Sequence, residues 1–203
     1  ETSLIPTFNW TESNDADLYD ELNYSISYGT DPSNLTEIDV EPQGNVGYSY
    51  SLSFDGEDDY AVVSGLSGAI VNSNVTMMGW FKVRSNENNG GLFGIRNYPL
   101  DNGIWAYMNM TGPNAPEIEC YFGSAEASFP MTPIDSIWYH VALVYGDGVF
   151  SSYLNGVLKT SSGASELSTG GIDLLIGKNR SYFLDGNISD VSLWSTDLTP
   201  TQI

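Results

Sequence analysis

No stretch of this chain sustains a helix, and that constrains its fold more than anything else. No window of about twelve residues keeps a 3.6-residue apolar period free of Gly, Pro or Asn interruptions. Short apolar runs instead alternate with turn chemistry: Asp55-Gly56, Asn89-Gly90-Gly91, Asp101-Asn102-Gly103, Asn155-Gly156 and Asp185-Gly186. Strands are predicted over 51–55, 60–63, 75–83, 91–95, 104–110, 117–122, 137–145, 149–154, 172–176 and 187–194. About ten short strands divided by turns read as an all-β, antiparallel, jelly-roll-like β-sandwich. With 41% hydrophobic and 13% aromatic residues, a core of that size can be filled.

Two strands carry more information. In 75–83 one face holds Val75, Met77, Gly79, Phe81 and Val83, the other Thr76, Met78, Trp80 and Lys82. In 137–145 Tyr139, Val141, Leu143 and Tyr145 oppose Trp138, His140, Ala142 and Val144. A sandwich strand ordinarily turns a polar face to water. Neither of these does, which predicts central strands covered behind by loops or lining a concave surface.

Charge and cysteine content narrow the function. Asp and Glu number 26 against 6 Lys and Arg, a net charge of −20. Nucleic acid is excluded as a partner because phosphate binding needs clustered cations, and an anionic membrane surface is disfavoured for the same reason. No run approaches the roughly 20 apolar residues of a membrane span, so no membrane insertion is expected. The single cysteine, Cys120, permits no intrachain disulfide and lies in an apolar-leaning run that predicts a buried, inert thiol. An opening at Glu1 without an initiator Met fits a cleaved mature protein and an excised fragment alike. Seven N-glycosylation sequons occur, at Asn9, Asn23, Asn34, Asn74, Asn109, Asn179 and Asn187. They fit a secreted glycoprotein, or are the by-product of a surface rich in Ser and Asn.

Residues 1–46 differ from the rest. They hold strand signals over 7–11 and 23–28, the acidic loop 12–20, and the breakers Pro42 and Gly44, which put a boundary near Val46. From Ser51 onward five segments occur in order: 52–60 (LSFDGEDDY), 75–82 (VTMMGWFK), 138–145 with 152–157 (WYHVALVY, SYLNGV), 175–177 with 183–191 (LIG, FLDGNISDV), and 198–203 (LTPTQI). Together they resemble the laminin G-like domain of concanavalin A-like fold. Residues 6–10 and 24–32 resemble two consecutive strands of a fibronectin type III-like module. The expected domains are therefore a partial fibronectin-like segment over 1–46 and a laminin G-like sandwich over 47–203.

The resemblance implies a non-catalytic, extracellular binding or adhesion module of a larger surface protein or fibre, with a glycan or extracellular protein as partner. A structural repeat without a ligand shares the same sequence features. The resemblance also implies a structural Ca2+ held by Asp58 and Asp59 with Asp190 of the closing block. Independently, Asp55-Gly-Glu-Asp-Asp59 packs four carboxylates into one short loop, the hard-oxygen chemistry that calcium selects, and an ordinary solvated acidic turn looks the same. Glu37-Ile-Asp39-Val-Glu41 resembles the Glu-x-Asp-x-Glu strand of retaining laminarinase- and lichenase-type glucanases. Period-2 spacing would place all three acids on one face, as a retaining mechanism needs. Yet few residues precede the motif, and Pro42 ends the strand at once, so catalysis is the alternative reading. The sole histidine, His140, sits among packing residues. For carbohydrate, the ligand-binding candidates are Trp105 and Tyr107, with Tyr98 and Tyr182 in loops. Because two strands alone are marginal in water, residues 1–46 are expected to pack on the sandwich of the same chain or on another copy, the latter giving self-assembly.

Overall fold

The computed structural model describes residues 8–9, 26–28, 36–38, 51–66, 70, 74–84, 89–97, 102–167 and 173–203. Among these residues every regular element is a strand. In chain order they are β1 (Phe8–Asn9), β2 (Ile26–Tyr28), β3 (Thr36–Ile38), β4 (Leu52–Asp55), β5 (Ala61–Val63) and β6 (Val75–Val83). Then follow β7 (Gly90–Asn97), β8 (Asn102–Asn109), β9 (Glu117–Phe122), β10 (Ala125–Glu126), β11 (Phe129–Pro130) and β12 (Tyr139–Gly146). The last six are β13 (Val149–Leu154), β14 (Val157–Gly163), β15 (Leu174–Ile176), β16 (Lys178–Asn179), β17 (Tyr182–Phe183) and β18 (Asp185–Trp194).

Two antiparallel sheets form the sandwich. The larger runs β1-β5-β15-β7-β8-β9-β10, with β11 also on β9, and the smaller runs β14-β13-β12-β6-β18-β4. The strands without a polar face, β6 and β12, are adjacent at the middle of the smaller sheet, with Leu143 opposite Met77 and Val141 opposite Gly79. Their inward residues Met77, Phe81, Val141, Leu143 and Tyr145 meet Phe93, Ile95, Ile104, Met108, Ile118 and Phe122 of the larger sheet in one buried core. Phe122 stacks on Tyr145 across the interior at 4.1 Å between ring centres. Cys120 is fully buried in this core, and burial pushes its thiol well above the ordinary value, so it is inert as expected.

Part of the other face of β6 and β12 is covered from behind, while Trp80 stays exposed. Ala142, Val144 and Tyr153 form a second buried cluster with Met78 and Ile203 packed on it. The closing segment is tied down at Thr76, whose Oγ1 donates to the Thr196 carbonyl and accepts from the Leu198 amide, both at 2.9 Å.

Three features differ from the sequence reading or extend it. β14 pairs with β13 through an Asn155-Gly156 turn with both residues at positive φ (51° and 74°), the requirement of a two-residue type I′ hairpin. That strand, Val-Leu-Lys-Thr-Ser-Ser-Gly, is too polar to be read from periodicity. β18 starts two residues earlier than expected and contains an irregularity between Ser189 and Ser192. Finally, β1 pairs with β5 (Phe8 opposite Val63), so the larger sheet of the same chain takes a strand from the first 46 residues, and the β2–β3 hairpin lies beside β18.

Candidate functional site

Strands β8 and β9 alternate strictly. Ile104, Ala106 and Met108 point into the core, as do Ile118, Cys120 and Phe122. The alternate residues Trp105, Tyr107 and Asn109 on β8, and Glu117, Glu119 and Tyr121 on β9, therefore share the outer face of the larger sheet. The register sets Trp105 opposite Tyr121, Tyr107 opposite Glu119, and Asn109 opposite Glu117. Each cross-strand pair makes a contact. Trp105 and Tyr121 stack at 5.2 Å, the Tyr107 hydroxyl donates to Glu119 Oε2, and Asn109 Nδ2 donates to Glu117 Oε1 at 3.2 Å.

Glu119 is the hub. Its Oε2 also accepts from the Tyr121 hydroxyl at 2.7 Å, and its Oε1 accepts from Asn109 Nδ2 at 2.6 Å. The amide oxygen of Asn109 in turn accepts from the Gly112 amide at 2.8 Å. Burial pushes the phenols of Tyr107 and Tyr121 well above the ordinary tyrosine value, and bonding to Glu119 and its charge add to the effect, so both stay protonated donors. Burial, then the charge of Glu119, raises the Glu117 carboxyl, partly opposed by its bond from Asn109.

Two further segments close over this face. Arg96 of β7 lays its guanidinium on the Trp105 ring at 4.3 Å and donates from Nη1 to Asn179 Oδ1 at 2.8 Å. Asn179 reaches it because Gly91 has no side chain: a Cβ there would stand 2.1 Å from the Lys178–Asn179 backbone, which crosses β7 at that point. The same β16–β17 hairpin carries Tyr182, whose ring stacks on Tyr107 at 6.2 Å with 9° between planes. Arg96, Trp105, Tyr107, Tyr121, Gly123, Ser124, Asn179, Arg180 and Tyr182 line a pocket of about 280 Å³. Trp105 is 5% exposed and forms the floor, whereas Tyr182 is 40% exposed.

Three of the four aromatic candidates, Trp105, Tyr107 and Tyr182, thus converge here, while Tyr98 lies outside the described residues. Sequence reasoning missed Arg96, Tyr121, Asn179 and Arg180 as pocket residues. Tyr121 and Glu119 were legible in the alternation of Glu117-Ile-Glu-Cys-Tyr121; Arg96 and Asn179 meet only through sheet packing.

The acidic loop is a second candidate site. Asp55, Asp58 and Asp59 bring one carboxylate oxygen each to within 4.8 Å of one another. The Glu57 amide donates to Asp55 Oδ1 at 2.8 Å and holds the turn. Calcium–oxygen distances of about 2.3–2.6 Å put ligands on opposite sides of an ion about 5 Å apart, so this donor set fits. The closing strand brings Asp185, opposite Asp55, rather than Asp190. Asp185 pairs with Arg84 at 2.9 Å, and Arg84 also donates to Ser53 Oγ and to the Phe54 carbonyl. Asp190 stands at the irregularity of β18 with φ of 53°, accepting from Ser189 Oγ. Its charge acts on His140, whose imidazole is nonetheless held below the ordinary histidine value by burial and packs against Trp80 at 5.1 Å.

Of the sequons, Asn109 and Asn179 are buried, and their side chains are taken by the bonds above. Asn74 Nδ2 donates to Asp197 and Asn187 Nδ2 to Ser51. Asn9 lies on β1, whereas Asn23 and Asn34 are outside the described residues. Glu37 lies on β3 opposite Ser27, and Asp39 and Glu41 are outside the described residues.

No curated protein matches this sequence. Among solved structures, a heptameric SAP-like pentraxin from Limulus polyphemus is 20% identical, with a TM-score of 0.58 over 75% of this chain and 78% of its own. The Trypanosoma rangeli sialidase is 16% identical with a TM-score of 0.58 over 78% of this chain, which spans only 27% of that enzyme. Domains LG4-5 of the mouse laminin α1 chain are 12% identical with a TM-score of 0.55, over 71% of this chain and 41% of that one. These likenesses establish the fold. A family model described as the concanavalin A-like lectin/glucanases superfamily matches residues 55–203, well over half the chain. This protein therefore belongs to the concanavalin A-like lectin/glucanase superfamily, in its laminin G-like branch.

Proposed function

We propose that this is a non-catalytic carbohydrate-binding module of an extracellular surface protein, with its ligand in the pocket on the outer face of β7, β8 and β9. The observation that carries the reading is the convergence of four aromatic rings with the polar groups of Arg96, Asn179 and Ser124 around one space of about 280 Å³. Sugar rings offer apolar C–H faces that stack on aromatic rings and hydroxyls that need convergent polar partners, and this lining supplies both. The volume falls just below that of ordinary small-molecule pockets, which run from about 300 to 1,000 Å³, and suits a terminal sugar or a short branch.

The carboxylates beneath the pocket favour binding over hydrolysis. Glu119 accepts three hydrogen bonds from Tyr107, Tyr121 and Asn109. It is thereby committed to holding the two tyrosines, whereas a nucleophile or general acid needs free access to the glycosidic bond. Asp55, Asp58 and Asp59 complete the proposal as a structural calcium site that clamps the end of β4.

Calorimetric titration against a panel of mono- and oligosaccharides tests the reading. Binding is expected in the wild type and should weaken at least tenfold in Tyr182→Ala, which removes the exposed stacking ring and leaves the core untouched. A folded wild type that binds no saccharide, or equal affinity in Tyr182→Ala, overturns it.

A further inference from the structure

The two faces of the β16–β17 hairpin have different neighbours. Its register sets Lys178 opposite Phe183 and Asn179 opposite Tyr182. Successive residues of a strand point to opposite sides, so the first pair shares one face and the second pair the other. The Asn179–Tyr182 face meets the pocket, through Arg96 Nη1 and the Tyr107 ring. The Lys178–Phe183 face meets Tyr60. Lys178 Nζ lies 4.0 Å over the Tyr60 ring and 4.8 Å over that of Phe183, and the two rings stand 6.4 Å apart with 52° between planes. One ammonium thus draws on both π-faces. Ala61 opposes Ile176, so Tyr60 stands beside the point where the chain leaves β15 for the hairpin, directly after the acidic loop 55–59.

A hairpin with two residues in each strand has no stability of its own and keeps its place through what touches it. Its base is tied by the Leu184 amide, which donates to the Gly177 carbonyl at 2.9 Å, and by the Gly177 amide, which donates to the Leu92 carbonyl at 2.8 Å. Phe54 closes on that base, where a Cβ on Gly177 would stand 2.5 Å from its ring. Beyond the base, the side chains of the two faces hold the hairpin. We infer that Tyr60 is a positioning residue for the pocket: its ring clamps Lys178 and Phe183 on one face of the hairpin and so fixes Asn179 and Tyr182 on the other. The inference rests on the carbohydrate reading and deepens it. Tyr60, Lys178 and Phe183 do not themselves line the pocket, so the clamp acts only through the hairpin. With Asn179 and Tyr182 held before a sugar arrives, less conformational freedom is lost on binding.

The test compares the full chain with Tyr60→Ala and Tyr60→Phe, by hydrogen exchange and by calorimetric titration with galacto-, cello- and xylo-tetraose. Tyr60 is 38% exposed, so its truncation leaves the buried core intact. In Tyr60→Ala the amides of residues 177–184 should exchange faster while those of β6 and β12 keep their wild-type rates. Affinity for the tetraose that the wild type binds should fall about two- to fivefold, the loss expected for one partly exposed cation–π contact. Tyr60→Phe keeps the ring and should match the wild type in both measurements. Unchanged exchange in the hairpin, a rise spread equally through the core strands, or unchanged affinity despite faster hairpin exchange each overturns the inference and leaves the carbohydrate reading standing. A folded wild type that binds none of the sugars overturns that reading, while the exchange rates still decide whether Tyr60 holds the hairpin.

Discussion

Single residues behind the pocket carry opposite costs. Glu119 satisfies three donors at once, and truncating it strands them in a largely buried place. Each stranded group costs about 1–3 kcal/mol less what water can recover, so Glu119→Ala should lose about 2–4 kcal/mol in urea unfolding at an unchanged slope. Glu117 is the reverse case. Its folded-state pKa is raised by burial and by Glu119, so the folded protein holds that proton to higher pH than the unfolded chain does. The stability from this group is full below the unfolded value of about 4.3 and is lost as pH climbs through the folded value. At neutral pH an ionised Glu117 therefore works against the fold. Glu117→Gln keeps an oxygen for Asn109 and removes the charge, so its urea midpoint should exceed wild type at pH 7 and converge with it near pH 3.5. Equal midpoints at both pH values would show that Glu117 is fully relieved by Asn109.

At the scale of the element, two short pieces decide more than their length suggests. The β16–β17 hairpin has two residues in each strand, yet supplies Asn179, Arg180 and Tyr182 to the pocket, and it sits where it does because Gly91 leaves its backbone room. The β4 end with its acidic loop gathers Asp55, Asp58 and Asp59 in a space where like charges repel. A bound cation relieves that repulsion in the folded state alone. Saturating calcium should then raise the melting temperature over EDTA, by mass action worth about 2.7 kcal/mol at a hundredfold excess over Kd. Asp58→Asn should abolish the difference, and superimposable melting curves for the wild type would rule the site out.

Across the whole molecule, the larger sheet begins with a strand from the N-terminal segment, β1, paired to β5 of the same chain. A sheet edge completed in this way no longer offers β5 to a second copy. Removing residues 1–46 should lower the melting temperature by several degrees while light scattering gives a monomer for both forms. An oligomer that dissociates on truncation would instead assign the segment to assembly between copies.

How much of this could be read from the sequence follows from the range of the interactions. Alternation within a strand and glycine-bearing turns are local, so the sequence determined the all-β class, the residues that share each face of β6 and β12, and the central place of these two strands, neither of which has a fully polar face. β14 escaped because an edge strand buries little and so carries no apolar period; the Asn155-Gly156 turn was its sole local trace. Trp105, Tyr107 and Tyr182 could be picked out by residue type, as aromatic rings beside polar groups that could meet a sugar. Only the tertiary structure brought Arg96, 83 positions before Asn179, into a hydrogen bond with it. It likewise set Asp185 rather than Asp190 beside the acidic loop, because strand register is fixed by the pairing of two whole faces and leaves no mark on either strand alone.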